Sequence, residues 1–317
     1  MRSLSFITAD VFTDRIFGGN PLAVFPDGRG LDDVTMQRIA RELNLSETVF
    51  VLPPETAQET RRLRIFTPAM ELPFAGHPTV GTAIILAETG ELDGNGPWDI
   101  VFGEKVGPIP VRITTTPDAA PDAATTNAPM TATLSSARLP TAVDGVRDPA
   151  ILAALLGLPV TALAQADLPP AAYSAGVPFT IIPLASRAAL SAIAFDVGVW
   201  RDHLADSLAP HIYAIALDDP ADDPAHERRV SARMFAPAMG IAEDRATGAA
   251  ATALAGYLFD QQRPTADRTV WEISQGDDMG RPSTILLTAD RAANGLSAVH
   301  VGGRAVIVSR GSFNLPS

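Results

Sequence analysis

An α+β fold of two similar domains, each wrapping sheet around a central hydrophobic helix, follows from three features of the 317-residue sequence. The stretch RIFTPAM at 64–70 returns as RMFAPAM at 233–239, an offset of 169. Both copies end a strand-like run, cross a short loop and lead through a glycine-containing turn into a nearly uncharged segment, the mark of a repeated supersecondary unit. Apolar residues make up 46 % of the chain and charged residues 19 %, enough material for two cores of ordinary domain size. A weaker echo pairs GGNPL at 18–22 with AGVPF at 175–179, so loop lengths differ between the halves.

The elements follow in order. Residues 3–11 and 21–25 read as strands around the turn-rich FGGNP at 17–21. Residues 32–43 space Val34, Met36, Ile39, Ala40 and Leu43 for a helix opened by Asp32 and Asp33. ETVFVL at 47–52 and RLRIF at 62–66 are strands. Pro78 opens a helix running to about Glu88, with Gly90 as its stop. The body of that helix, Val80 to Ala87, is nearly all apolar, so it is buried on most sides. The Ala-, Thr- and Pro-rich stretch 114–138 is the candidate linker, dividing a domain 1–125 from a domain 126–317, with a C-terminal strand as a candidate to complete the first. Beyond it lie a helix at 149–156, strands near 162–166, 178–183 and 211–217, and a helical turn around 198–206. An exposed acidic loop at 218–224 and a second nearly uncharged helix near 247–260 follow. Strands at 269–274, 283–288, 297–301 and 304–309 close the chain.

Composition excludes whole classes of chemistry. There is no cysteine, which removes thiol nucleophiles, Cys-ligated zinc, iron–sulfur clusters and disulfides. Lys and Arg number 24 against 36 Asp and Glu, a net charge of −12 that argues against nucleic-acid backbones and anionic membranes as partners. His203, His211, His226 and His300 show no ligand spacing, so no metal is expected. Neither GxGxxG nor GxxxxGK[ST] is present. The first ten residues reach Asp10 before a signal-peptide core can form, and 149–166 carries Gly157, Pro159 and Gln165, so a soluble cytoplasmic protein is expected.

The repeat also has chemical content. A helix N-terminus presents unpaired N–H groups and the positive end of a macrodipole, and so attracts carboxylates or phosphates. Two such ends at AGHPT (75–79) and ATGAA (246–250), facing a shared cleft, suit a small anionic ligand, although each alone also reads as an ordinary helix start.

Four stretches resemble the phenazine-biosynthesis PhzF-like family, within the diaminopimelate epimerase-like fold. They are DVFTDRIFGGNPLAVF (10–25), ARELNLSETVFVLPP (40–54), RIFTPAMELPFAGHPTVGTA (64–83) and RMFAPAMGIAEDRATGAA (233–250). The resemblance implies two pseudo-symmetric domains with mostly antiparallel, curved sheets around the central helices. It also implies a cofactor-independent isomerase and a homodimer. Family enzymes isomerise an amino-hydroxy-cyclohexadiene carboxylate. Carried over by position, Glu47 matches the proton-transferring glutamate, Gly76 and His77 match residues at the substrate carboxylate or shaping the pocket, and Asp244 matches a supporting carboxylate. Asn20, Thr247, Gly248 and Ala249 fall in the substrate-binding motifs. Many members read DPVTGS where this chain has Asp244-Arg245-Ala246-Thr247-Gly248-Ala249, so a serine hydroxyl is replaced by Ala249 and a proline by Arg245. Same-fold epimerases use paired cysteines, a route closed here, which moves the expected chemistry onto Glu47. The competing expectation, favoured by Ala249, is a non-catalytic binder of small carboxylates.

Overall fold

A computed structural model describes residues 2–115, 129–164, 168–217, 228–261, 266–293 and 295–315. The middle of the expected linker, the acidic loop at 218–224, His226 and the end of the expected strand at 162–166 lie outside the described residues. The chain falls into two compact units, Met1–Ser135 with Gly302–Ser317, and Ser136–Val301. The division thus lies between 135 and 136 where the sequence places it between 125 and 126, because β8 still pairs with the first unit's sheet.

The first unit contains β1 (Arg2–Val11), β2 (Asn20–Phe25), α1 (Asp33–Leu43), β3 (Glu47–Leu52), β4 (Arg61–Phe66), β5 (Glu71–Leu72), α2 (Gly76–Glu88), β6 (Trp98–Glu104), β7 (Gly107–Thr115) and β8 (Met130–Ser135). The second contains β9 (Thr141–Val143), α3 (Pro149–Leu156), β10 (Ala171–Ser174), β11 (Pro178–Pro183), α4 (Arg187–Ser191), α5 (Val197–His203), β12 (His211–Leu217), β13 (Arg229–Ala236), β14 (Ile241–Asp244), α6 (Gly248–Asp260), β15 (Arg268–Gln275), β16 (Ser283–Ala292) and most of β17 (Gly295–Gly303). Finally β18 (Ala305–Leu315) pairs antiparallel along all of β1, returning the chain's end to the first unit.

In the first unit β1 and β2 are antiparallel, β2 and β3 parallel, and β3 and β4 antiparallel. β4 then pairs with β5 antiparallel and with β6 parallel, and β6 with β7 antiparallel. The second unit repeats the succession: β10–β11 antiparallel, β11–β12 parallel, β12–β13 antiparallel, β13–β14 antiparallel, β13–β15 parallel and β15–β16 antiparallel.

Within the first unit α2 packs on β1, β2, β3, β7, β8 and β18, and His77 through Ala87 are all buried. Such a helix has no solvent face, which is why its sequence is apolar all round. Gly81 marks the closest approach: a Cβ there would lie 2.5 Å from Val11 Cγ2 and 2.7 Å from Leu22 Cδ2. The helix begins at Gly76, two residues before the predicted start. Pro78 is therefore its third residue, where a missing N–H is still harmless because the first four N–H groups have no intrahelical acceptor. Gly90 ends it as expected, with φ +73. Within the second unit α6 is buried from Ala250 to Leu258 against β9, β10, β11 and β16. The strand expected near 162–166 is a 3₁₀ turn, Val160–Ala162, followed by a single bridge from Leu163 to Leu184.

Candidate active site

The first unit brings Asn20, Glu47, Gly76 and His77 into one neighbourhood through its strand register. The parallel ladder sets Leu22 opposite Glu47, so the starts of β2 and β3 lie side by side. There the Ser46 hydroxyl donates to Asn20 Oδ1 at 2.9 Å, tying the loop before Glu47 to buried Asn20. The next residue, Pro21, offers its carbonyl to the His77 ring. His77 is the second residue of α2, and its Nε2 lies 3.2 Å from Glu47 Oε2. Both side chains are shielded, at 6 % and 14 % exposure.

Burial decides the charge of this histidine. It pushes the imidazole down to about 3, against a smaller upward pull from the Pro21 carbonyl, so the ring is neutral at physiological pH. With Nε2 facing Glu47, the ring N–H given to Pro21 is that of Nδ1, and Nε2 presents a lone pair. Because the ring is neutral, the 3.2 Å approach is a close contact between a carboxyl and an uncharged imidazole, and not an ion pair. Gly76 opens α2 after extended Ala75, and among the described residues no side chain caps this turn. Its N–H groups remain available to an anion.

Asp244, Thr247, Gly248 and Ala249 form a second group, within the second unit. Asp244 ends β14; its Oδ1 accepts the Arg245 N–H at 2.9 Å and its Oδ2 accepts the Thr247 hydroxyl at 2.6 Å. This carboxylate shapes the turn before α6, the capping role the sequence leaves open beside a site role. Thr247 is the residue before α6, yet its hydroxyl faces Asp244 and not the helix, so here too no described side chain caps the first turn. Gly248 and Ala249 are the first two helical residues. Of the remaining histidines, His300 Nε2 meets Asp290 Oδ2 at 3.0 Å, and burial lowers His211.

Sequence reasoning missed two buried residues behind these helix starts. Glu104 ends β6, with Oε1 2.7 Å from the Thr79 hydroxyl, while the Ala75 N–H bears on the same carboxyl. Burial outweighs both and pushes it up to about 8. Gln275 ends β15; its Oε1 accepts the Thr247 N–H at 3.3 Å and its Nε2 donates to Thr247 Oγ1 at 3.0 Å and to the Asp244 carbonyl at 2.9 Å. The repeat could have led to them. Arg62 pairs with Gly103, and its counterpart at the offset of 169, Ser231, pairs with Ser274, so Glu104 and Gln275 take the same next step of two equivalent ladders.

The family model described as phenazine biosynthesis-like protein matches residues 9–311. The chain belongs to that family. It is 39 % identical over 99 % of both chains to an uncharacterized isomerase of Mesorhizobium japonicum. It is 36 % identical to a trans-2,3-dihydro-3-hydroxyanthranilate isomerase of Pseudomonas aeruginosa, over 96 % of this chain and 98 % of the relative. Among solved structures, the PhzF-family phenazine biosynthesis protein of Bacillus anthracis superposes with a TM-score of 0.85 at 25 % identity, over 99 % of this chain and 100 % of that one. A probable proline racemase of Agrobacterium radiobacter shares the fold at a TM-score of 0.62 and 10 % identity, over 99 % of this chain and 93 % of that one. No described helix is long and apolar enough to cross a membrane.

Proposed function

We propose that this phenazine biosynthesis-like protein is a cofactor-independent isomerase. It moves a proton, by an allylic or enol–keto shift, on a small cyclic or unsaturated amino- or hydroxy-carboxylic acid. The observation that carries the reading is the shielded Glu47–His77 contact of 3.2 Å, set against an uncapped helix start. Family members with strongly similar sequences bear isomerase names, which supports the same reaction class here.

Glu47, as the carboxylate, takes a proton from an activated carbon of the substrate: the C–H bond breaks, its electron pair moves along the adjacent double bond, and Glu47 returns a proton to the carbon further on, which forms the new C–H bond and regenerates the carboxylate. No electron is gained or lost overall and the product has the substrate's mass. The neutral His77 ring, 3.2 Å from Glu47 Oε2, holds the carboxyl in place. The Gly76 and His77 N–H groups hold the substrate carboxylate, and Asn20 keeps the Glu47 loop in place. Asp244 supports the turn that presents the Thr247, Gly248 and Ala249 backbone for binding. The same reading takes the two units as pseudo-symmetric products of a duplication, each with a curved, mostly antiparallel sheet around its helix. It takes the enzyme as a cytoplasmic homodimer that needs no metal or organic cofactor.

The test is incubation with trans-2,3-dihydro-3-hydroxyanthranilate and a panel of related cyclic and unsaturated amino acids, followed by mass spectrometry and NMR. An isomer of unchanged mass is the expected product of at least one of them. Ala249, which brings no side-chain hydroxyl to the start of α6, favours a second reading, a carboxylate binder without turnover. Ligands that bind yet emerge unchanged select that reading.

A further inference from the structure

Glu104 takes no part in the reaction just proposed, yet it is a carboxyl group only 3 % exposed, directly behind the start of α2. Its surroundings determine whether it carries a proton. The Thr79 hydroxyl lies 2.7 Å from Glu104 Oε1 and 2.8 Å from the Ala75 carbonyl oxygen. A hydroxyl has one hydrogen. Both the Ala75 carbonyl and Glu104 Oε1 lie in reach of that single hydrogen, so the hydroxyl fully satisfies both contacts only if Glu104 brings a hydrogen of its own. Glu104 Oε2 is buried and has no hydrogen-bond partner among the described residues, a position in which a carboxylate charge goes unsolvated.

The second unit supplies an independent comparison. At the equivalent ladder position Gln275 offers an acceptor to the Thr247 N–H and a donor to the Thr247 hydroxyl. Ala75 and Thr247 are the corresponding residues, each immediately before its helix. A neutral carboxylic acid reproduces the amide's combination of one acceptor and one donor. A carboxylate, which only accepts, does not.

We propose that Glu104 is a positioning residue: as a neutral carboxylic acid it ties down the first turn of α2, and with it Gly76 and His77, in the shape that receives the substrate's carboxylate. The proposal rests on the reading of those two residues as substrate-binding. Ionisation of Glu104 would remove the hydrogen shared with Thr79 and set a negative charge behind the helix start, opposing an anion held there. The other ionisable groups on the elements packed around it are otherwise engaged. His77 faces Glu47; on β4, Arg61 bonds the Thr60 and Glu91 carbonyls, Arg62 pairs with Glu55, and Arg64 with Glu71 and Asp33. Lys105 meets Glu71, Arg112 on β7 meets Asp99, Glu59 lies against Gly103 beside the Glu55 N–H, and Glu88 lies at the far end of α2.

Two measurements test this. Infrared difference spectra between pH 6 and 10 should show the carbonyl stretch of a protonated carboxyl that fades as pH rises, persists in Glu47→Gln and is missing in Glu104→Gln. Absence of that band from the wild type, or its loss only in Glu47→Gln, overturns the proposal without touching the isomerase reading. Binding of 3-hydroxyanthranilate, a stable aromatic counterpart of the relatives' named substrate, should weaken about tenfold per pH unit above the ionisation in the wild type and stay flat in Glu104→Gln. Identical pH profiles for the two proteins count against Glu104. Absence of binding in both at every pH counts against the substrate-binding reading instead, and the infrared band still decides the protonation of Glu104.

Discussion

The starts of α2 and α6 are built on the same ladder geometry, but they carry different chemistry. Behind α6 the ladder ends in Gln275, an amide whose donor and acceptor are both fixed on Thr247. Behind α2 it ends in Glu104, and the first turn adds His77 in contact with Glu47. One helix start is thus backed by an amide that cannot titrate, while the other has carboxyl and imidazole groups beside it. The same succession of strands carries a neutral amide in one unit and ionisable groups in the other, through a few side chains and no change of pairing.

Exchanging the two ladder-end residues is the sharpest way to break this comparison. Glu104 rises from 4.5 to about 8 on folding, so between those values the unfolded chain has lost a proton that the native state keeps. The contribution of Glu104 to stability is then complete below about pH 4.5 and is lost as pH rises through 8, by about 1.4 kcal/mol per pH unit within the window. Glu104→Gln should remove that slope and be more stable than the wild type at pH 8. Gln275→Glu, at a fully buried position, should acquire the same slope. Urea unfolding across pH 4–9 reads both, and parallel curves for wild type and Glu104→Gln would mean that Glu104 titrates alike in the folded and unfolded chain.

His77 gives the opposite limb. Its imidazole falls from 6.5 to about 3 on folding, so the unfolded chain binds the extra proton first. Stability should decline as pH drops from 6.5 toward 3, again by about 1.4 kcal/mol per unit, and His77→Asn should flatten that decline in the same titration.

The packing of the two helices differs by less. Gly81→Ala forces a Cβ to within 2.5 Å and 2.7 Å of Val11 and Leu22 and should cost about 1–3 kcal/mol. In Gly256→Ala the nearest atoms are Pro140 and Tyr173 carbons at 2.9–3.0 Å, so its cost should be smaller. Thermal melts of the two variants rank them, and equal losses would show that the tighter approach of α2 has no energetic consequence.

Much of the fold is legible in the sequence alone. The two buried helices are written in their uncharged runs, and the repeat of RIFTPAM marks the strand that leads to each. Arg64 reaches Glu71 and lies 5.2 Å over Phe66, just as Arg233 reaches Glu243 and lies 5.1 Å over Phe235, so the matching letters hold matching contacts. Glu47 and His77 were legible only through a family motif, because thirty residues separate them and it is the packing of α2 on β2 and β3 that brings them together. Glu104 left no local trace. It closes a strand whose parallel partner, β4, lies about forty residues upstream, and its meaning comes from burial beside Thr79, which no periodicity reports.

In the proposed reaction the proton that moves passes through Glu47. Turnover in D2O measures this directly: the wild-type product should carry one deuterium at the newly protonated carbon. Glu47→Gln should bind the substrate with similar affinity and form product about 10³-fold more slowly, without that label. Label incorporation by Glu47→Gln at the wild-type rate would contradict the account.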